Sequence, residues 1–179
     1  MNVKQHKPLF INMAGPGRLS VACRFMAVLS SAILLASHVS AGERPFKGRI
    51  DGQFVATPMP GTTLYHSAAQ AIGRGTHLGA FTKLTSDVLD IATGQLEGSF
   101  TMTVANGDHL TGVYGGFFVF GSEPGTFSWV LNATITGGSG RFSRATGTFV
   151  FNAQGQGVIT DDGVVHGDYT ETFDGRIDY

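Results

Sequence analysis

Residues 133–149 read Ala133-Thr134-Ile135-Thr136-Gly137-Gly138-Ser139-Gly140-Arg141-Phe142-Ser143-Arg144-Ala145-Thr146-Gly147-Thr148-Phe149: a strand, a turn and a second strand. Upstream, Phe127, Trp129, Leu131, Ala133 and Ile135 alternate with Ser128, Asn132, Thr134 and Thr136. That period of two marks a strand with one face on a core. Three glycines within four residues then interrupt it, and glycine accepts the positive φ that lets a chain reverse. Ala145, Gly147, Phe149 and Phe151 resume the alternation against Thr146, Thr148 and Asn152. A unit of this kind specifies architecture far better than it specifies a reaction.

The same rhythm extends in both directions. Ile50, Gly52, Phe54 and Ala56 alternate with polar neighbours as a first strand, stopped at Pro58-Met59-Pro60-Gly61, where two prolines and a glycine exclude regular structure. Residues 67–74 fit helix or strand by period, and Gly73 and Gly75 close by together with the all-strand surroundings favour strand. Residues 79–84 form another, followed by a less regular segment through Asp90. Leu96, Gly98, Phe100, Met102 and Val104 give the cleanest alternation in the chain. Asn106-Gly107-Asp108 is a hairpin signal, because Asn-Gly favours the primed turn whose twist matches its flanking strands. The return strand, His109 to Phe120, becomes apolar on both faces near its end, which predicts cover on both sides. Asp161-Asp162-Gly163 turns the chain into a last strand, Val164 to Tyr179. Short strands joined by glycine turns, with no three-turn amphipathic helix after residue 41, predict all-β structure. Closure into a barrel removes exposed edges and suits the glycines within strands; an open sandwich is the alternative.

The Gly-Gly-Ser-Gly-Arg-Phe turn followed by Ala145-Thr146-Gly147 resembles the Gly-Gly-Thr-Gly-x-Phe-x-x-Ala-x-Gly segment of plant dirigent proteins, and is similar to the corresponding turn of allene oxide cyclases. The resemblance implies an all-β fold, a single antiparallel eight-stranded β-barrel of calycin type, without a cofactor and forming trimers. It covers about seventeen residues and brings no catalytic set with it. The cysteine of the cyclase site has no counterpart after residue 41, which argues against transferring that activity.

Residues 1–41 read as a secretory signal peptide. Lys4, Lys7, Arg18 and Arg24 form a basic leader, the run from Phe25 to Ala36 is apolar, and Val39-Ser40-Ala41 supplies small residues for cleavage after Ala41. The apolar run is shorter than a spanning helix requires, so no stable membrane anchor is expected once the signal is cleaved. The protein is thus expected to be secreted or periplasmic. Cys23, the only cysteine, leaves with the leader, and residues 42–179, one domain, are held by burial and strand pairing without disulfides. All thirteen acids but only eight of the twelve Lys and Arg lie after residue 41. The scattered cations make no basic patch, which excludes nucleic acid as a partner.

In the last strand Tyr169, Glu171, Phe173 and Ile177 share a face. If that face lines a cavity, Glu171 is an enclosed carboxylate without a cation, a candidate catalytic acid or base or an anchor for a polar ligand group. The alternative is a rim carboxylate, or one paired with an arginine. Tyr114, Phe118, Trp129, Phe149, Tyr169 and Phe173 are the candidate ligand-binding residues of an apolar pocket, although at a period of two aromatics are first of all core. His66, His77, His109 and His166 share no metal-ligand spacing, so no metal is expected. Ser139 lacks the glycine two residues on that a nucleophile elbow needs, and reads as a turn residue. Arg141 is expected to cover an aromatic or pair with a carboxylate, with anion binding in the turn as the alternative. The leading expectation is a secreted, cofactor-free barrel that binds or scaffolds a small apolar molecule. A cofactor-independent isomerase or cyclase using Glu171 and a structural exported oligomer, a homo-trimer by the resemblance, are the alternatives.

Overall fold

The computed structural model describes residues 42–179, so the expected signal peptide, its cleavage after Ala41 and Cys23 lie outside the described residues. Eight strands follow in chain order: β1 Arg44–Pro58, β2 Leu64–Gly75, β3 Gly79–Asp90, β4 Gln95–Val104, β5 His109–Phe120, β6 Thr126–Gly138, β7 Thr146–Ile159 and β8 Val165–Asp178. Each pairs antiparallel with the next, and β8 returns to β1, closing the barrel. The open-sandwich alternative is excluded. Closure leaves no unpaired strand edge, which matters in a chain this rich in β-formers.

The alternation read from the sequence decides which side chains enter. Leu96, Phe100, Met102 and Val104 of β4 are buried, as are Tyr169, Glu171, Phe173 and Ile177 of β8. On β5 the two apolar faces separate: Phe118 turns inward, while Phe117 and Val119 stand outside at 63 and 57% exposure. The outer cover expected for that segment is absent from the described residues of a single chain. Between Thr111 and Gly112 the β5–β6 register shifts, because Thr111 pairs with Gly137 and Gly112 with Ile135. Thr136 is the extra residue of a bulge, which sharpens the coiling of the wall.

Three strands begin or end differently from their sequence reading. β1 starts at Arg44, where the expected polar lead-in already pairs with β8 and buries Phe46 completely. β2 begins at Leu64 rather than 67. β3 continues to Asp90. The stretch 84–90 looked irregular because Lys83, Thr85 and Asp87 point inward while Leu84 and Val88 lie outside, the reverse of the usual polarity.

The glycine turn seals one end. Gly140–Phe142 form a single 3₁₀ turn whose Phe142 is fully buried. Gly140 has φ +55°, and the Asp108 carboxylate occupies the place where a Cβ would stand, so two separate constraints require glycine there. The backbone N–H of Arg141 donates to Asp108 at 3.3 Å, and the Arg141 guanidinium donates to the carbonyl of His77 at 2.8 Å. The β2–β3, β4–β5 and β6–β7 loops are thereby tied together at this closed end. Arg141 also lies against the Phe142 ring, 4.8 Å from its centroid, as the aromatic-covering expectation had it. Beneath the turn Phe46, Phe149 and Phe173 meet edge-on or tilted, with ring centroids 4.7–5.8 Å apart. Each such ring contributes about 1.5–3 kcal/mol through burial.

Candidate functional site

The other end of the barrel is built differently. Above the phenylalanine layer, β3 sends in Lys83, Thr85 and Asp87, β2 Ser67, β5 Tyr114, β6 Trp129, and β8 Tyr169 and Glu171. They surround a cavity of about 50 Å³. At roughly 10–15 Å³ for one water this space holds a few waters, not a drug-sized molecule. Phe54, Phe118 and Trp129, all half-buried, stand between it and the open rim.

Glu171 is inside and 1% exposed, but not as a lone carboxylate. Lys83, reaching from β3, pairs with its Oε2, and the Trp129 indole N–H donates to its Oε1 at 3.0 Å. The expectation of an enclosed carboxylate without a cation is therefore corrected. The cation is a lysine from across the barrel, which neither strand adjacency nor sequence spacing could indicate. The Lys83 ammonium also sits 3.9 Å from the centroid of the Phe151 ring, whose negative face favours it.

Asp87 forms a second polar centre. The Tyr114 hydroxyl donates to its Oδ2 at 2.9 Å and the Thr85 hydroxyl at 3.3 Å, and Ser67 adds a third hydroxyl partner. Burial is the dominant influence and pushes the Asp87 carboxyl above its ordinary value; the hydroxyl hydrogen bonds and Lys83 oppose this only in part. Burial, reinforced by the two carboxylates, likewise raises the phenols of Tyr114 and Tyr169, which stay neutral donors at any ordinary pH. Among the described residues no buried side-chain nitrogen or oxygen lacks a hydrogen-bond partner.

Of the candidate ligand-binding residues, Tyr114, Phe118, Trp129 and Tyr169 line the cavity. Phe149 and Phe173 do not: they lie one layer down, in the phenylalanine packing of the closed end. Face assignment alone cannot distinguish these layers, because every second residue of a strand faces inward whatever its height. Sequence reasoning missed Lys83, Asp87, Thr85 and Ser67. A signal was present for β3: Phe81 and Leu89 are inward residues eight apart, and carrying their phase through the segment turns Lys83, Thr85 and Asp87 inward as well.

Outside the barrel, Ser139 accepts from the backbone N–H of His109 at 3.1 Å and its hydroxyl lies 2.8 Å from Nδ1 of the same histidine, locking the glycine turn to β5. The described residues contain no group of three or more His, Cys, Asp or Glu placed to hold a metal ion.

No protein-family model matches the chain. No curated protein matches it in sequence. Among solved structures, a pterocarpan synthase dirigent protein aligns with TM-score 0.40 and 16% identity over 76% of this chain and 86% of that one.

Proposed function

We propose that the barrel binds a small, mainly apolar molecule at its open end, with a polar group of the ligand seated against the Lys83, Glu171 and Asp87 cluster. One observation carries this reading: a lysine and two carboxylates are buried around a residual cavity in a barrel whose other half is filled by phenylalanine. Charges in a core cost stability unless compensated, and a purely structural barrel gains nothing from them that apolar residues would not supply better. Because the cavity holds only a few waters at rest, a ligand enters by displacing Phe54, Phe118 and Trp129 at the rim.

Trp129 is the only tryptophan of the chain and stands at the rim, so its fluorescence is a local reporter. Titration of protein begun at Gly42 with small aromatic and aliphatic molecules should shift or quench that emission, with one-to-one stoichiometry by native mass spectrometry. Unchanged emission and no mass adduct across such a panel at millimolar concentration would sink the proposal.

A second reading, cofactor-free proton-transfer chemistry, is favoured by the raised Asp87 carboxyl, since a buried acid or base with a displaced pKa is what such a reaction requires. In it Asp87 takes the acid–base role that the sequence suggested for Glu171, whose charge is engaged by Lys83. Export through the leader, and association of copies through Phe117, Val119 and the neighbouring exposed Val130, complete the proposal. Sedimentation would read a trimer or a monomer directly.

A further inference from the structure

The buried cluster is one positive charge short. Glu171 has Lys83 as its counter-ion, whereas Asp87, 8% exposed, is held by the hydroxyls of Tyr114, Thr85 and Ser67, feels Lys83 only through the field of its charge, and makes no ion pair among the described residues. Hydroxyls solvate a carboxylate without cancelling its charge, so Asp87 is stabilised either by a proton or by a cation that the described residues do not provide.

Charge is also divided along the barrel. At the open end, the β1–β2, β3–β4, β5–β6 and β7–β8 loops with the last residue of β3 carry Asp90, Glu123, Asp161 and Asp162 and no lysine or arginine. At the closed end Arg44, Arg74, Arg141, Arg144 and Arg176 lie in the loops or close to the strand termini, with Lys47 and Arg49 farther along β1. Within the described residues Lys83, inside and already paired, is the one lysine or arginine outside that group. A mouth of one sign with low-dielectric walls concentrates ions of the opposite sign. The rim itself is aromatic: Phe118, Phe127 and Trp129 stack with centroids 5.1–6.4 Å apart, and Tyr169 lies 5.0 Å from Trp129. Aromatic faces attract a cation that carries an apolar body, and disfavour an anion.

Resting on the reading that this cavity takes a small molecule, we propose that its ligand class is an apolar amine: a protonated amine on an aromatic or aliphatic body, directed to Asp87, with the body between Phe54, Phe118 and Trp129. The ammonium supplies the counter-charge that Asp87 lacks, while the acidic mouth steers it and the rings hold the rest. An apolar carboxylic acid meets the same field with the opposite sign and is excluded.

Three probes of one shape separate the possibilities: 2-phenylethylamine, 2-phenylethanol and phenylacetate, titrated against Trp129 fluorescence and by calorimetry. The amine should bind roughly tenfold or more tightly than the alcohol, and the acid not at all. Asp87→Asn should remove the amine's advantage over the alcohol, so that the two bind within about threefold of each other. On the wild-type chain, acidification should weaken the amine alone, because a proton then competes with it for Asp87; this readout needs no variant. Equal or tighter binding of the alcohol or the acid overturns the amine assignment and leaves the cavity reading standing. Failure of all three probes overturns both.

Discussion

The two ends of this barrel are made from the same eight strands and the same inward alternation, yet they hold opposite contents. At the closed end Phe46, Phe149 and Phe173 fill the interior beneath a 3₁₀ turn. Farther along the barrel axis, Lys83, Asp87 and Glu171 surround a small space under a rim of half-buried aromatics. The fold is therefore secured at one end, which leaves the other free to carry groups that oppose stability. Burial at the closed end offsets the desolvation of charges that a functional site needs and a core does not.

The sharpest way to break the comparison is to hollow the closed end. Phe173→Ala removes a fully packed ring and should cost about 3–5 kcal/mol, read as a lower urea midpoint with unchanged slope. If its loss is under about 1 kcal/mol, the closed end is not what secures the barrel.

Next in size is Glu171→Gln. With the carboxylate gone, the Lys83 ammonium is left buried beside Phe151 without its counter-charge, and the expected loss is about 3 kcal/mol or more. The double variant Lys83→Met with Glu171→Leu removes both charges together and should recover most of that loss. A double variant as unstable as the single one would mean that the pair itself, rather than the orphaned charge, carries the stability.

Gly140→Ala tests the lid. It places a side chain at φ +55° in the space of the Asp108 carboxylate, and should cost about 1–3 kcal/mol while leaving the open end's ligand response unaltered.

The smallest effect has the opposite sign. Burial raises the Asp87 carboxyl, so the folded state holds that proton more tightly than the unfolded chain. Its contribution to stability is favourable below the unfolded carboxyl value and is lost as pH rises through the folded one. Asp87→Asn should therefore melt higher than the wild type at pH 7, and the difference should vanish towards pH 3. A variant that melts lower at pH 7 would show that the three hydroxyls fully compensate the charge.

Particular residues show why the fold was more legible than the site. Leu96 to Val104 and Tyr169 to Ile177 were assigned to the correct faces because local alternation needs no knowledge of neighbours. Phe149 and Phe173 were assigned to the correct face but not to the correct layer, since height along the axis is set by the stagger between strands. Lys83 went unread because a lysine between Phe81 and Leu84 looks like the solvated side of a strand, and its partner lies 88 positions away on β8.

The sequence by itself determined the existence of the strands, most of their turns, the need for glycine in the 137–140 turn, and the sidedness of the residues in the regularly alternating strands, because all of these are set by interactions within a few positions along the chain. Only closure of the eight strands decided that Lys83 meets Glu171, that Asp87 takes its hydrogen bonds from hydroxyls, and that the exposed cations of the described residues gather at one end. Those relations are distances between strands, and electrostatics depends on distance in space, not on spacing in sequence.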